Sequence, residues 1–275
     1  MTNSEMIFSD RELAKRLEFT EAESNAGFVE ARAKIEPESG AAWTQAAGAY
    51  AMFDGIESPL TQTFGLGIGE DATDEILENF ERFFKEKNAP VFHEVSPMAD
   101  ASLIALLNGR GYQPVELTSV MFQPIEKIKF DSAIDSKIET RIIKPDEAEM
   151  WARTSANGWA TEMEELADFM FNFGKISANC AGGFPFLAEI GNEPVAAGML
   201  FVYNGTALLA GASTVPAARG RGAQTALLKA RLRYAAELDC ELAMMCAAPG
   251  SQSQRNAEKK GFRTAYTRTK WHLKS

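Results

Sequence analysis

An arginine–glycine run, Arg219-Gly220-Arg221-Gly222-Ala223-Gln224, holds the residue types best suited to chemistry in this chain. Glycines let a backbone turn tightly and approach a ligand closely. The run closes a strand-like stretch and opens a helical one, and a helix start presents several unpaired N–H groups and a partial positive charge. Such a start holds a phosphate, and two arginines add full charge and bidentate geometry. A ligand carrying a pyrophosphate therefore fits Arg219–Gln224 on physical grounds, with a plain solvent-exposed turn as the alternative. Two other phosphate ligands fit less well. The dinucleotide fingerprint requires a third glycine where Thr225 stands, and a parallel strand–helix–strand unit where the preceding strands read as hairpins. The nucleotide P-loop ending Gly-Lys-Ser/Thr is absent.

The elements that must position this run can be read around it. Lys137 to Ile143 alternates polar and apolar residues as a strand does. Helical segments are expected near 146–157 and 162–178, then strands at Phe186–Ile190, Val195–Val202 and Ala207–Thr214. Asn192-Glu193 and Asn204-Gly205 sit at the hairpin turns. From Ala223 a helix places Leu227, Leu228, Leu232, Ala235 and Leu238 on one face, with Lys229, Arg231 and Arg233 mostly on the other. A short strand, Leu242 to Ala247, precedes the turn Pro249-Gly250. Ser251-Gln252-Ser253 could cap a second helix to Lys260, and Gly261-Phe262 ends it before a strand running to Leu273.

The first half repeats the end of this plan. Thr73-Asp74 opens a helix through Lys87 with Ile76, Leu77, Phe80, Phe83 and Phe84 on its apolar face. Val91 to Val95 is a strand, Ala99 to Asn108 a helix, and Val115 to Gln123 a strand after Gly111-Tyr112. Gly111 and Gly261 lie 150 residues apart, and that offset holds through both units, as an internal duplication requires. The charged, patternless stretch Glu126–Ser136 reads as the linker, giving domains at 1–130 and 131–275.

Composition bounds the remaining classes. The net charge is −10, and all the excess acidity lies in residues 1–130, which hold 11 Lys and Arg against 22 Asp and Glu; residues 131–275 hold 17 against 16. An acidic chain repels polyanions, so nucleic acid is not an expected partner, while a cationic amine is compatible. No apolar run is long enough for a membrane helix, and the polar, acidic Met1–Glu5 does not suit a secretory signal, so a cytoplasmic protein is expected. Cys180, Cys240 and Cys246 have no redox or metal spacing and read as reduced thiols; with His93 and His272 far apart, no metal site is expected.

The segment Pro216 to Leu228, followed by Gly261-Phe262, resembles the cofactor loop and terminal signature of the GNAT superfamily of N-acetyltransferases. That family's loop reads Arg/Gln-x-x-Gly-x-Gly/Ala; Arg219 and Gly222 match, and Gln224 replaces the final small residue. The strand order of 137–273 also matches the family plan. The resemblance implies an α/β (α+β) fold of two tandem GNAT-like domains. Each would be a mixed, mostly antiparallel sheet flanked by helices, the first copy degenerate. It implies acetyl-CoA as co-substrate without a metal, and transfer of the acetyl group to a primary amine of a small molecule or peptide. A weakly catalytic coenzyme A-binding regulator or scaffold is the alternative. Fused halves could stand in for a dimer, so a monomer is expected, with a dimer the other option.

The same resemblance implies roles. Backbone of Ala212, Ser213 and Thr214 would pair with the pantetheine arm, Val215 would lie at the strand's exit, and N–H groups of Arg219, Gly220, Arg221, Gly222, Ala223 and Gln224 would hold the pyrophosphate. The strand Leu242–Cys246 would splay from its neighbour to admit the thioester, and Asn256 could touch pantetheine. The family's acid tyrosine is replaced by Ala257 and a common asparagine by Gly250, which leaves Ser253, at a position serine occupies in some branches, and Tyr266 as candidate acids; capping and packing are their alternatives. Trp159 and Glu162 are candidate acceptor contacts, and Glu189 and the cluster Glu162, Glu164, Glu165 are the candidate general bases, a solvated helix start being the alternative for the cluster. In the repeat register, Gly69-Glu70-Asp71-Ala72 replaces Arg219–Gly222. Carboxylates there would repel a pyrophosphate, so the first copy is expected to bind no cofactor.

Overall fold

The computed structural model describes residues 7–128, 137–159 and 167–274. Two compact units form. One comprises the chain up to Val29, Glu36–Phe122 and the tail from Cys246; the other comprises Glu30–Ile35 and Gln123–Met245. This division differs from a cut near residue 130 because the last strand of the chain hydrogen-bonds strands of the first half.

In the first unit the strands are β1 (Ala42–Ala46), β2 (Ala49–Phe53), β3 (Gln62–Phe64), β4 (Phe92–Val95), β5 (Tyr112–Pro124) and β11 (Arg263–Leu273), in the order β1-β2-β3-β4-β11-β5. The tail strand β11 is antiparallel to β4 on one side and to β5 on the other, so it separates two strands that a single helix joins in sequence. The sheet is covered on both faces. Helices α2 (Asp74–Glu86) and α3 (Ala101–Gly109) bury Leu77, Phe80, Phe84, Leu103 and Leu107 against Ala51, Val95 and Trp271. Helix α1 (Arg11–Ile35) lays Ala22, Ala26 and Val29 on Tyr50, Met52 and Phe64. Strand β2 is buried along its whole length because successive side chains feed opposite cores.

In the second unit the order is β10 (Leu242–Ala247), β9 (Thr206–Thr214), β8 (Glu193–Tyr203), β7 (Gly183–Ile190), β6 (Glu139–Ile142). Only β10–β9 is parallel; β8 forms antiparallel hairpins with β7 and β9, and β6 pairs antiparallel with β7 across the intervening helices. The hairpin turns hold Gly191 and Asn192 at φ +59° and +66°, one residue earlier than the sequence suggests, and Asn204 and Gly205 at +48° and +70°. Helices α4 (Ala148–Trp159) and α5 (Ala167–Ala178) lie toward one face, where Trp151 and Ala152 pack on Leu187, Ala197 and Met199. On α6 (Ala223–Glu237), Leu227, Leu232 and Ala235 are buried as the periodicity predicts. Leu238 is instead 38% exposed, and Arg231, expected toward solvent, is only 2% exposed. The tail adds α7 (Gln252–Glu258) to the first unit.

The fold keeps the repeat register. Helices α2 and α6, strands β4 and β10, helices α3 and α7, and strands β5 and β11 follow one another in the same order, with Gly111 and Gly261 at φ +85° and +96°.

Candidate functional site

The site in the second unit is built where β9, α4 and α6 converge. Pairing of β10 with β9 covers only Leu242–Thr206, Ala243–Ala207 and Met244–Leu208, although β9 continues to Thr214. Among the described residues that edge of β9 has no strand partner beyond Leu208. The strand's other edge stays on β8 as far as Ala196–Thr214, through one bulge, and the Val215 N–H then donates to the Val195 carbonyl at 2.9 Å. Here β9 carries one residue more than β8 between the pairs Met199–Ala210 and Ala197–Ser213, with Gly211 at φ +57°.

The end of β9 is locked onto α4. Ser213 Oγ donates to the Ser155 carbonyl at 2.9 Å. Arg219 Nη2 donates to the Gly158 carbonyl at 2.8 Å and its Nε to the Thr214 carbonyl at 3.3 Å. Gly158 allows this approach: a Cβ there would stand 2.4 Å from Ser213 Oγ and 2.9 Å from the Thr214 nitrogen. The Arg219 side chain therefore ties the loop to the strand and helix beside it. Arg221 is exposed.

After a short 3-10 turn at Pro216–Ala218, the chain enters α6 through Gly220 at φ +75° and Gly222 at φ +91°. Only glycine adopts this left-handed region without strain. Gly222 is the N-cap and supplies no side-chain cap, so the first turn of α6 offers its N–H groups outward. The corresponding place in the first unit is filled. Thr73 Oγ1 caps α2 by accepting from the Ile76 N–H at 3.3 Å. Arg11 Nη2 donates to the Gly67 carbonyl at 3.2 Å and approaches Asp71 at 3.5 Å, and Asp74 pairs with Arg110 at 3.0 Å.

Two buried polar atoms near the end of β9 have no hydrogen-bond partner among the described residues, Thr214 Oγ1 and Trp159 Nε1. Glu162, Glu164 and Glu165 lie outside the described residues. Glu189 is not a free base: Arg141 binds it twice at 2.9 Å and also clasps Glu147. Among the described residues no cluster of His, Cys, Asp and Glu is arranged to hold a metal ion, and no helix is long and apolar enough to cross a membrane.

Residues 146–262, which contain this strand and the glycine-rich helix start, match the model of the acetyltransferase (GNAT) family. They form a GNAT domain. The fold of the whole chain is that of tandem GNAT proteins. It is similar to a tandem GNAT protein from the clavulanic acid biosynthesis pathway, at 12% identity and TM-score 0.61 over 98% of each chain. A GCN5-related N-acetyltransferase from Kribbella flavida superposes at TM-score 0.63 and 15% identity over 91% of this chain and 96% of its own. A conserved protein of unknown function from Staphylococcus epidermidis superposes at 0.59 and 8% identity over 84% and 92%. No curated protein matches by sequence.

The remaining GNAT candidates lie in the first unit. Ser251, not Ser253, caps α7 by accepting from the Gln254 N–H at 3.2 Å. Ser253 is exposed one turn-position later. Asn256, also exposed, accepts from Gln252 Nε2 at 2.8 Å. Tyr266 is buried, and its hydroxyl donates to Glu18 Oε1 at 2.9 Å. Burial and the neighbouring Glu18 push that phenol well above its ordinary pKa. It belongs to a charge network that no sequence pattern announces. Arg268, 3% exposed, binds Glu21 at 2.6 Å, approaches Glu18 at 3.4 Å and lies 2.9 Å from Glu94. Lys270 extends the network to Glu94 and Glu116. Burial raises Glu18 to about 7 despite Arg268. For Glu21 burial pushes the same way, but the Arg268 charge and hydrogen bonds win and hold it low.

On the opposite face of that sheet, His93 Nε2 meets Tyr112 Oη at 2.9 Å, and Tyr112 donates to Glu81 at 3.1 Å. The histidine is therefore the donor through Nε2, and burial lowers its pKa to about 3.

Proposed function

We propose that this chain is an N-acetyltransferase that moves the acetyl group of acetyl-CoA directly to a primary amine of a small molecule or peptide. The observation that carries the reading is the start of α6, entered through two left-handed glycines without a side-chain cap, beside the β9 edge that β10 leaves after Leu208. Backbone N–H groups of Gly220 and of Gly222 to Gln224 would hold the pyrophosphate; the Arg219 and Arg221 N–H groups donate to the Pro216 and Ala218 carbonyls, and the Arg221 side chain adds exposed positive charge. The Ser213–Val215 backbone would receive the pantetheine arm, and Thr214 Oγ1, buried without a partner, fits a polar group there. Acetyl-CoA supplies the thioester acyl group when bound. The chain's task is then to hold that group and an unprotonated amine in register and to exclude water.

Direct transfer is supported by the cysteines. Burial raises the thiols of Cys240 and Cys246, so neither is a ready thiolate that could carry the acetyl group. The first copy is assigned no cofactor, because the Thr73 hydroxyl already takes the Ile76 N–H at the start of α2 and Glu70 and Asp71 add negative charge. Of the two candidate acids, Ser253 keeps an exposed hydroxyl free of a capping duty, whereas the Tyr266 proton is engaged by Glu18. Ser253 is therefore kept as the candidate acid for the leaving thiolate, with Asn256 the candidate pantetheine contact and Trp159 the candidate acceptor contact.

The test is release of free thiol from acetyl-CoA with a panel of polyamines, aminosugars and peptide N-termini. One or more amines should give turnover, and Ser253→Ala should lower kcat by about a hundredfold. Tight binding of acetyl-CoA with no turnover on any amine would favour the regulator or scaffold reading instead.

A further inference from the structure

One charged side chain in the second unit has no role in the site as described. Arg231, in the third turn of α6, lies beneath the β8–β9 bulge and is 2% exposed. Its Nη1 donates to the Met199 carbonyl at 2.9 Å and to the Ala210 carbonyl at 3.4 Å, and its Nε to the Leu227 carbonyl at 3.4 Å. Met199 and Ala210 are the pair at which the register shift begins. The guanidinium packs closely on Gly198: a Cβ there would stand 3.0 Å from Arg231 Cζ and Nη1, tight enough to push the guanidinium aside by a few tenths of an ångström.

Among the described residues no carboxylate pairs with this arginine, and burial alone lowers its pKa to about 10. A buried cation without a counter-charge is expensive and is kept only where its hydrogen bonds do something a hydrocarbon could not. Here a planar fork reaches across two strands at the point where one of them gains a residue. Those bonds fix the carbonyl directions of the pair at which the bulge begins, one on each strand, and the bulge sets the twist with which Gly211–Thr214 leaves β8.

We infer that Arg231 is a positioning residue: it holds the β8–β9 bulge and thereby aims the Gly211–Thr214 backbone at the pantetheine arm of the acyl donor. The inference rests on the acetyl-CoA reading above and adds a residue that touches no ligand itself. It separates two parts of the binding site. The pyrophosphate is held by the start of α6, which Arg231 does not contact. The pantetheine is held by β9, which it does.

The experiment measures binding of acetyl-CoA and of the phosphoadenosine diphosphate fragment of coenzyme A, which lacks pantetheine. The proteins are wild type, Arg231→Met, Arg231→Lys and Gly198→Ala, with a thermal melt of each. Gly198→Ala keeps the arginine but displaces its guanidinium, so the test survives if Arg231→Met folds poorly. Expected are about tenfold weaker acetyl-CoA binding in Arg231→Met and Gly198→Ala, partial recovery in Arg231→Lys, and fragment binding within about twofold of wild type throughout. Equal loss of both ligands in step with the melting temperature would make Arg231 a merely structural residue and overturn the inference. Unchanged acetyl-CoA binding in Arg231→Met and Gly198→Ala would overturn it as well. Failure of wild type to bind acetyl-CoA would instead remove the parent reading, and the inference with it.

Discussion

Gly158→Ala probes the junction that shapes the site, and its effect can be worked from the distances. The new Cβ would stand 2.4 Å from Ser213 Oγ, 2.5 Å from Ser213 Cβ and 2.9 Å from the Thr214 nitrogen. Ordinary contact needs about 3.4 to 4 Å, so α4 and β9 must separate by about 1 Å or Ser213 must leave its rotamer. Overpacking of this kind costs about 1–3 kcal/mol, and rupture of the Ser213–Ser155 bond adds about 1 kcal/mol. Replacing glycine in a helix returns about 0.5–1 kcal/mol, which leaves a net loss near 2 kcal/mol. For a chain of this size that is a drop in Tm of about 4–8 °C, measured by thermal unfolding. The control is Gly109→Ala, at the end of α3, where a Cβ would meet nothing within 4 Å and φ is not left-handed. It should leave Tm unchanged or slightly raised. Because Arg219 also anchors on the Gly158 carbonyl, Gly158→Ala should weaken acetyl-CoA binding too. A Gly158→Ala protein that melts at or above wild type would refute the close-packing argument outright.

Further expectations concern the first unit. Arg268→Met should lower stability by about 3–5 kcal/mol, because Glu18, Glu21 and Glu94 would be left buried around an uncharged side chain; chemical denaturation reads this, and a loss under 1 kcal/mol would contradict it. Glu18 binds its proton more tightly folded, at about 7, than its ordinary 4.5, so it contributes stability at low pH that is lost as pH rises through that window. His93, held near 3 against an ordinary 6.5, has the opposite sign and loses stability as pH falls below about 6.5. The two slopes oppose each other in wild type. Glu18→Gln should therefore make stability rise more steeply with pH between about 4.5 and 7, and an unchanged slope would show that Glu18 titrates normally.

Local signals in the sequence located most of the second unit. Alternation marked β6 to β9, and the 3.6-residue period marked α6. The Ser251 and Thr73 caps and the left-handed Gly261 and Gly111 marked element ends as their chemistry requires. The strand-to-helix loop at Arg219–Gln224 was legible because glycine spacing and charge are local properties. Two kinds of feature were not. Strand β2 is apolar on both faces and α1 spreads small and charged residues around its circumference, so neither shows a clean period. Long-range topology left no mark either: nothing in Arg263–Leu273 says that it inserts between β4 and β5. For the same reason Tyr266 reads as an available phenol until Glu18, 248 residues away, is seen to hold its proton. Arg231 failed the amphipathic rule because its burial depends on Gly198 and on a bulge in a neighbouring strand.

The central claim is that acetyl-CoA binds at the start of α6. Titration calorimetry of acetyl-CoA into wild type and into Gly222→Glu tests it most directly. A carboxylate about 4 Å from a pyrophosphate charge costs about 4 kcal/mol at an effective dielectric of about 20, a weakening of about a thousandfold. The account predicts close to one site per chain in wild type and no measurable heat of binding in a Gly222→Glu protein that still melts cooperatively. Absence of binding by wild type, or equal affinity in the two proteins, would contradict it.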